Sequence, residues 1–330
     1  MHNFDYAAPR FESDVVELLS PEAGRTAVLA GGTDLIPLLK KMIVRPDRVV
    51  NIMEVPTLKQ LDVLSDGTLR IGAAVTLDRL LDSDYLREYP AVTQAIRGIN
   101  SMQLQCQGTI GGDLCQRPQC WFFRNGRGLF ADGGREVVAG DNRFHAIFGN
   151  AGPAKFVSAS RLAPALVALG AVFRIVGPAE DEETLVPADE FFCTPAHDGE
   201  SETVLLPNQL LAHIYLPSPG KTASATYEVR HGEGPEDPLT AASVALELAG
   251  GVVQKARIVL GHVAPTPWRS AAAESALVGR RIDLDAAEAA GRAAVAEATP
   301  LSNNVYKVQL AKVAVKRAIL QAADLESGGF

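Results

Sequence analysis

The chain has 330 residues, 47% hydrophobic and 21% charged, which supports true cores in two or three domains of a soluble protein. Its 31 basic and 39 acidic residues leave a net charge of −8, with no basic run longer than a pair, which excludes nucleic acid as the expected partner. No stretch approaches the roughly 20 apolar residues that span a bilayer, and Met1-His2-Asn3-Phe4-Asp5-Tyr6 lacks the regions of a signal peptide, so a cytoplasmic chain is expected, exported only if a partner carries the signal.

In chain order, Phe11, Val15, Leu18 and Leu19 recur at helical spacing before Pro21. The apolar run Val28-Leu29-Ala30 then stops at Gly31-Gly32-Thr33-Asp34, and Leu35 to Ile43 reads as a short helix. Paired glycines after a strand let the backbone turn and bring bare N–H groups close to a ligand, while Thr33 and Asp34 can cap the turn that follows. Val49 to Ile52 reads as a strand, so the first fifty residues form a small α/β unit.

A second unit starts near Leu58, with a strand over Leu69 to Leu77, a helix over Leu77 to Leu86 and another over Pro90 to Ile99. The glycine grammar then returns as Thr109-Ile110-Gly111-Gly112-Asp113-Leu114. One such pair is usually a plain turn. Two suggest a joint dinucleotide site. Cys115 to Asn150 is aperiodic and mixes Trp121-Phe122-Phe123 with Arg117, Arg124, Arg127, Arg135 and Arg143, a length usual for a functional loop or an insertion. A helix over Leu162 to Leu169 leads into a strand over Ala171 to Val176. Glu180 to Glu183 reads as a solvated turn, and Leu210 to Leu216 as a strand closed by Pro217 and Pro219 at a domain boundary.

Beyond that boundary, Ala242 to Leu248 and Val252 to His262 pair around Gly250-Gly251. Helices over Trp268 to Leu277, Leu284 to Ala298 and Val305 to Ala323 cover them, and the stripe Val308, Ala311, Val315, Ile319, Ala322 is core. The tail from Glu326 is expected to be mobile. Cys106, Cys115, Cys120 and Cys193 do not make a two-by-two zinc pattern and are expected to be free thiols, Cys106 and Cys115 as small buried residues. His145, His213 and His262 are scattered and read as satisfied structural histidines.

Phe4-Asp5-Tyr6 with Pro9, Ala30 to Leu35, Ile71-Gly72-Ala73-Ala74-Val75-Thr76, Thr109 to Leu114, Leu260 to Pro267 and Asn304-Val305-Tyr306-Lys307 occur together and in order over nearly the whole chain. This combination resembles the FAD-binding medium subunits of the molybdenum hydroxylases, the xanthine dehydrogenase, aldehyde oxidoreductase and carbon monoxide dehydrogenase family. It is similar above all to the branch of periplasmic aldehyde oxidoreductases and hydroxybenzoyl-CoA reductase, which carries an insertion like 115–150.

The resemblance implies an α+β fold: a two-part FAD-binding domain of the vanillyl-alcohol oxidase type (1–55 and 56–219), then a C-terminal sheet-plus-helices domain (220–330). It implies FAD lined by Leu29, Ala30, Gly31, Gly32, Thr33, Asp34, Leu35, Thr109, Gly111, Gly112, Asp113 and Leu211, with the loop Leu29 to Ile36 wrapping the diphosphate through backbone N–H groups, the Thr109 hydroxyl donating to it and Gly111 to Asp113 completing the cradle. Asp34 and Asp113 would orient loop N–H groups, bind ribityl hydroxyls or cap helices, since a carboxylate repels phosphate.

Where relatives place a ribityl-binding Asp this chain has Arg161, read as facing a phosphate or solvent. Where they place a Lys near the ring it has Glu228, with Arg230 as a substitute cation. Relatives with a [4Fe–4S] cluster ligate it with four insertion cysteines, the first matching Cys120. After Cys120 no cysteine follows until Cys193, so the cluster is read as lost and the loop as packing on a partner subunit or over the flavin.

The implied function is electron transfer: a molybdopterin subunit oxidises substrate, a [2Fe–2S] subunit relays electrons to this FAD, and an external acceptor removes them, in a dimer of heterotrimers. This chain would hold neither a catalytic residue nor a metal. Two other readings are a stand-alone flavin oxidase or reductase of the same fold and a flavin-free scaffold.

Overall fold

The computed structural model describes residues 1–179, 182–234 and 236–326. Glu180 and Asp181 of the expected solvated turn, and the expected mobile tail beyond residue 326, lie outside the described residues.

Three sheets organise the chain. The first is parallel, in the order β1 (Asp5–Ala7), β3 (Arg48–Asn51), β2 (Thr26–Leu29). The helix Glu12–Leu18 packs Val15 and Val16 into the core beneath it. The opening strand is missing from the sequence reading because three half-exposed residues carry no periodic signal. The helix after the first glycine turn ends at Lys40, not at Ile43, because Met42 takes a left-handed backbone (φ 58°) that breaks the repeat.

The second sheet is antiparallel, in the order β4 (Leu61–Val63), β5 (Leu69–Gly72), β8 (Leu210–Leu216), β6 (Val172–Val176), β7 (Glu183–Pro187). The strand expected over Leu69 to Leu77 stops at Gly72. A Cβ at Gly72 would run into the Leu58 backbone, and the chain turns there to bridge Thr76 to Thr109. Ile71, Phe173 and Ile214 on this sheet are fully buried with Val92 and Ile96 of helix Pro90–Gly98 and Leu166 of helix Ala163–Leu169. Each such side chain contributes roughly 1.5–3 kcal/mol through burial.

The third sheet runs β12 (Trp268–Arg269), β11 (Val252–Gly261), β10 (Thr240–Ala249), β9 (Thr222–Val229). Period-two alternation sends Val244, Leu246, Ile258 and Leu260 against the helices Ala271–Leu277, Leu284–Ala294 and Tyr306–Ala322. Ala245 and Val259 point the other way, into the core that the second sheet shares with helices Pro90–Gly98 and Ala163–Leu169. The expected helix over Trp268 to Leu277 divides: Trp268 and Arg269 pair with β11, and Ser270 caps the helix by accepting from the Ala273 N–H at 3.3 Å. On the last helix Ala311, Val315 and Ile319 are buried as core.

One polar anchor crosses these layers. Lys307, 1% exposed, donates from Nζ to the carbonyls of Phe144, His145 and His262 at 3.3, 3.2 and 2.6 Å. Burial alone pulls its ammonium down to about 7, while the three carbonyls hold the proton in place. Among the described residues no helix is long and apolar enough to cross a membrane.

Candidate functional site

The first glycine turn leaves β2 at Leu29. Gly32 takes φ +75°, which favours glycine, and a Cβ at Gly31 would lie on the carbonyl oxygen of Gln107. The Ile36 N–H closes the turn on the Gly32 carbonyl at 3.1 Å. Among the described residues the N–H groups of Gly31, Gly32, Thr33 and Asp34 meet no acceptor. Consecutive unpaired N–H groups on a concave turn form an anion-binding nest.

The second turn offers no free backbone donors. Its N–H groups are already spent: Gly111 on the Ala73 carbonyl (2.9 Å), Gly112 on Thr109 Oγ1 (3.1 Å) and Asp113 on the Thr109 carbonyl (2.9 Å). Gly111 is needed for packing, since its Cβ would stand 2.7 Å from that of Ala73. At Gly112 a Cβ meets only Thr109 Oγ1, at 2.9 Å, and otherwise opens on empty space. This turn therefore supplies a smooth wall and the Thr109 hydroxyl hydrogen, not a second row of N–H donors.

Between the turns runs a two-lobed cleft. One lobe, of about 350 Å³, is lined by Ala30, Gly31, Gly32, Thr33, Asp34, Leu35, Thr109, Gly111, Gly112 and Leu211, with Val28, Leu38 and Ile52 as an apolar floor. The other, of about 290 Å³, shares Thr33, Asp34, Thr109, Gly112 and Gln116 with the first and continues to Ile99, Asp113, Arg161 and Asp237. Thr33 and Asp34 of the nest thus stand where the apolar and the charged lobe meet, and Gly31 and Gly32 line the apolar one. Leu29 falls outside both lobes; its carbonyl accepts from the Ile52 N–H within the sheet.

The two aspartates hold loops together. Asp34 makes no cap bond; it accepts from the Arg117 N–H (2.9 Å) and from Arg124 Nη2 (2.6 Å), tying the 115–150 segment to the first turn. Asp113 accepts from the Ser160 hydroxyl, the Arg161 N–H (3.3 Å) and the Leu162 N–H (3.1 Å), seating the start of helix Ala163–Leu169. Burial raises the Asp113 pKa, and those donors offset part of the rise.

Arg161 faces neither bulk solvent nor the nest. It is 4% exposed, and its guanidinium donates to the carbonyls of Gly98 and Glu236 in the charged lobe, because the neighbouring Leu162 and Ala163 are locked in the core. Arg230 is not in the cleft wall: it donates to the Gly98 carbonyl at 3.0 Å and lies 3.9 Å from Glu228. The cation in the wall of the charged lobe is Arg161, while Arg117 lines the other lobe.

Cys106 and Cys115 are exposed, contrary to expectation, Cys106 on helix Met102–Gln107 and Cys115 ringed by protein but opening into the apolar lobe. His213 is satisfied, between Arg174 Nη1 (3.2 Å) and the Thr57 carbonyl (3.1 Å). The other two histidines each leave one buried nitrogen without a partner, Nδ1 of His145 and Nε2 of His262. His145 Nε2 lies 3.1 Å from Cys120 Sγ, and burial, with the Lys307 charge, lowers its pKa to about 4. Burial raises the Cys120 thiol, so the pair is neutral. Among the described residues no group of three or more His, Cys, Asp or Glu stands where it could hold a metal. Cys120→Ser is expected to leave the iron content of the purified protein unchanged; metal analysis showing iron lost with the thiol would mark Cys120 as a ligand.

Asp237, Lys307 and the Arg124–Asp34 tie are not among the site residues expected from sequence. Arg124 carries a signal, as one of five arginines in the aperiodic stretch. Lys307 lies within a recognisable motif but among apolar helix positions.

Two family models match the chain. Residues 2–219 match the FAD binding domain in molybdopterin dehydrogenase, and residues 234–322 the CO dehydrogenase flavoprotein C-terminal domain. The aldehyde oxidoreductase FAD-binding subunit PaoB of Escherichia coli (strain K12) is 28% identical over 299 residues, covering 89% of this chain and 90% of that one. The carbon monoxide dehydrogenase medium chain of Hydrogenophaga pseudoflava is 27% identical over 322 residues, 96% of each. The solved carbon monoxide dehydrogenase of H. pseudoflava superposes with a TM-score of 0.75 at 28% identity over 97% of each chain. With the glycine nest, the two-lobed cleft and both family matches in one chain, this protein belongs to the FAD-binding medium subunits of the molybdenum hydroxylases, oxidoreductase flavoproteins.

Proposed function

We propose that the chain is an electron-transfer subunit, taking electrons from a [2Fe–2S] partner and passing them through FAD to an external acceptor. A molybdopterin subunit would oxidise the organic substrate. The observation that carries this reading is the row of unpartnered N–H groups from Gly31 to Asp34, which runs from the apolar lobe to the waist where the two lobes meet. A dinucleotide has its diphosphate at mid-length, where these donors stand, and needs a lobe on either side.

The residues present fit FAD. Gly31, Gly32, Thr33 and Asp34 would hold the diphosphate through backbone N–H groups, with the Thr109 hydroxyl as a further donor. Leu35 and Leu211 would pack on the group in the apolar lobe, and Gly112 keeps the waist open. Asp113 acts through others: it fixes Ser160, Arg161 and Leu162 so that Arg161 reaches the charged lobe. When bound, FAD supplies the reversible uptake of two electrons, and the protein supplies position and electrostatics.

The same reading divides the chain into 1–55 and 56–219 around the cofactor and 220–330 behind it. It makes the assembly a cytoplasmic dimer of heterotrimers, exported only if a partner carries the signal. The arginine- and aromatic-rich 115–150 segment, pinned to Asp34, would cover the cleft or meet a partner.

The test is the cofactor content of the natively purified complex. One FAD per copy of this chain, with iron matching only the partner's [2Fe–2S] clusters and molybdenum in the large subunit, is the expected result. A complex without flavin would overturn the reading in favour of a scaffold. About four further irons per copy would show a cluster in this chain.

A further inference from the structure

The charged lobe carries a group that the electron-transfer reading leaves unused, and any role for that group in flavin chemistry rests on that reading. Its wall brings Asp113, Arg161 and Asp237 together. Asp113 is fully engaged by its donors. Arg161 is engaged too: its guanidinium serves the Gly98 and Glu236 carbonyls and reaches Asp237 Oδ1 only at 3.9 Å.

Asp237 itself receives no hydrogen bond among the described residues. Ringed by protein, it keeps 38% of its side chain accessible, the part that opens into the lobe. Behind it Glu228, with a side chain 7% exposed, has neither carboxylate oxygen hydrogen-bonded. Gly98 walls it off, for a Cβ there would run into its carboxyl group.

The two carboxyls, Asp237 near Arg161 and Glu228 3.9 Å from Arg230, receive no hydrogen bond, and they repel each other when both are ionised. Any new negative charge in the lobe adds to that repulsion. Of these two, only Asp237 lines the lobe, beside Glu236, Asp34 and the engaged Asp113.

We infer that the flavin ring takes this lobe and that Asp237 is its proton-exchanging group, taking up a proton when the ring becomes negative and releasing it when that charge leaves. Two electrons from a reductant and one proton from water convert the ring to its monoanion. A second proton goes to the Asp237 carboxylate, and both return to water on reoxidation.

The groups facing Asp237 set the direction. Burial raises its pKa to about 6; Arg161 and Arg124 lower it, and Asp113 and Asp34 raise it. Glu228, whose own carboxyl is raised by burial, faces it from β9. At pH 7 Asp237 is therefore largely ionised before reduction, and a neighbouring anion carries it through neutralisation.

The experiment is a dithionite titration of the FAD-loaded full chain from pH 5.5 to 8.5, following the flavin absorbance. For a two-electron couple each proton taken up lowers the midpoint potential by about 30 mV per pH unit. Wild type is expected to fall by about 60 mV per pH unit between pH 7 and 8, and Asp237→Asn by about 30 mV per pH unit. Asp237→Glu restores the steeper slope.

Equal slopes in wild type and Asp237→Asn would overturn this inference alone. So would a wild-type slope of about 30 mV throughout, without recourse to any variant. A wild-type chain that retains no FAD would overturn the electron-transfer reading and this inference with it.

Discussion

Gly112→Val is expected to release FAD while leaving the fold intact. The position lies at the waist shared by both lobes, and a Cβ there meets only the Thr109 hydroxyl, so a branched side chain extends into the cleft rather than into the core. Within its short helix, valine replaces a residue that is itself a poor helix former, so the local cost is small. Filling a formed site costs about 1–3 kcal/mol, or a Kd weaker by roughly five- to 150-fold. Flavin retained after dialysis, set beside the melting curve, checks it. Full occupancy with an unchanged melting temperature would show that the ligand does not cross the waist at Gly112. Gly31→Val makes a poorer probe, because its side chain would collide with the Gln107 backbone and separate the turns themselves.

Lys307→Met is expected to cost more stability than Gly112→Val, Cys120→Ser or Asp237→Asn. Methionine can replace the aliphatic stem, but not the donors to three carbonyls. The His145 carbonyl keeps the Asn304 amide at 3.0 Å, whereas those of Phe144 and His262 have no other donor among the described residues. Leaving a buried carbonyl unsatisfied costs about 1–3 kcal/mol, so a loss of roughly 2–4 kcal/mol is expected. Hydrogen exchange at residues 144–148 and 258–263 should accelerate together, since one ammonium ties both segments to the last helix. A melting temperature within a degree of wild type would show that the carbonyls find water instead.

The features legible in the sequence are those written locally. An apolar strand broken by Gly31-Gly32 predicts a turn with exposed N–H groups, and the structure has one. The same grammar at Gly111-Gly112 leads to an expectation of free donors that fails, because Ala73, distant in sequence, takes the Gly111 N–H and Thr109, at the turn itself, takes those of Gly112 and Asp113. The partners of Asp113 and Arg161 are likewise remote: Ser160 lies 47 positions from Asp113, and Glu236 lies 75 from Arg161. Composition and spacing contain no trace of such pairings. An arginine before a helix usually points outward, and only the meeting of Gly98 with the 236–237 segment makes a buried socket for Arg161. Lys307 is hidden in the opposite way, on a helix whose apolar stripe is plain in the sequence.

The strand order of the second sheet bears on how the protein is made. Its central strand, β8, is the last of the five in the chain, and it carries Leu211 into the cleft wall. On the ribosome β5 and β6 must wait, unpaired along their inner edges, until residue 216 has left the exit tunnel. At about 5–20 residues per second, the stretch from β5 to β8 takes roughly ten to thirty seconds to synthesise. Throughout that interval the β5 edge is open to other nascent chains, and once β6 is made a second edge joins it. Chaperone demand for this polypeptide should therefore peak before the C-terminal sheet exists, and stop codons just short of β8 should give aggregates rather than a smaller folded domain.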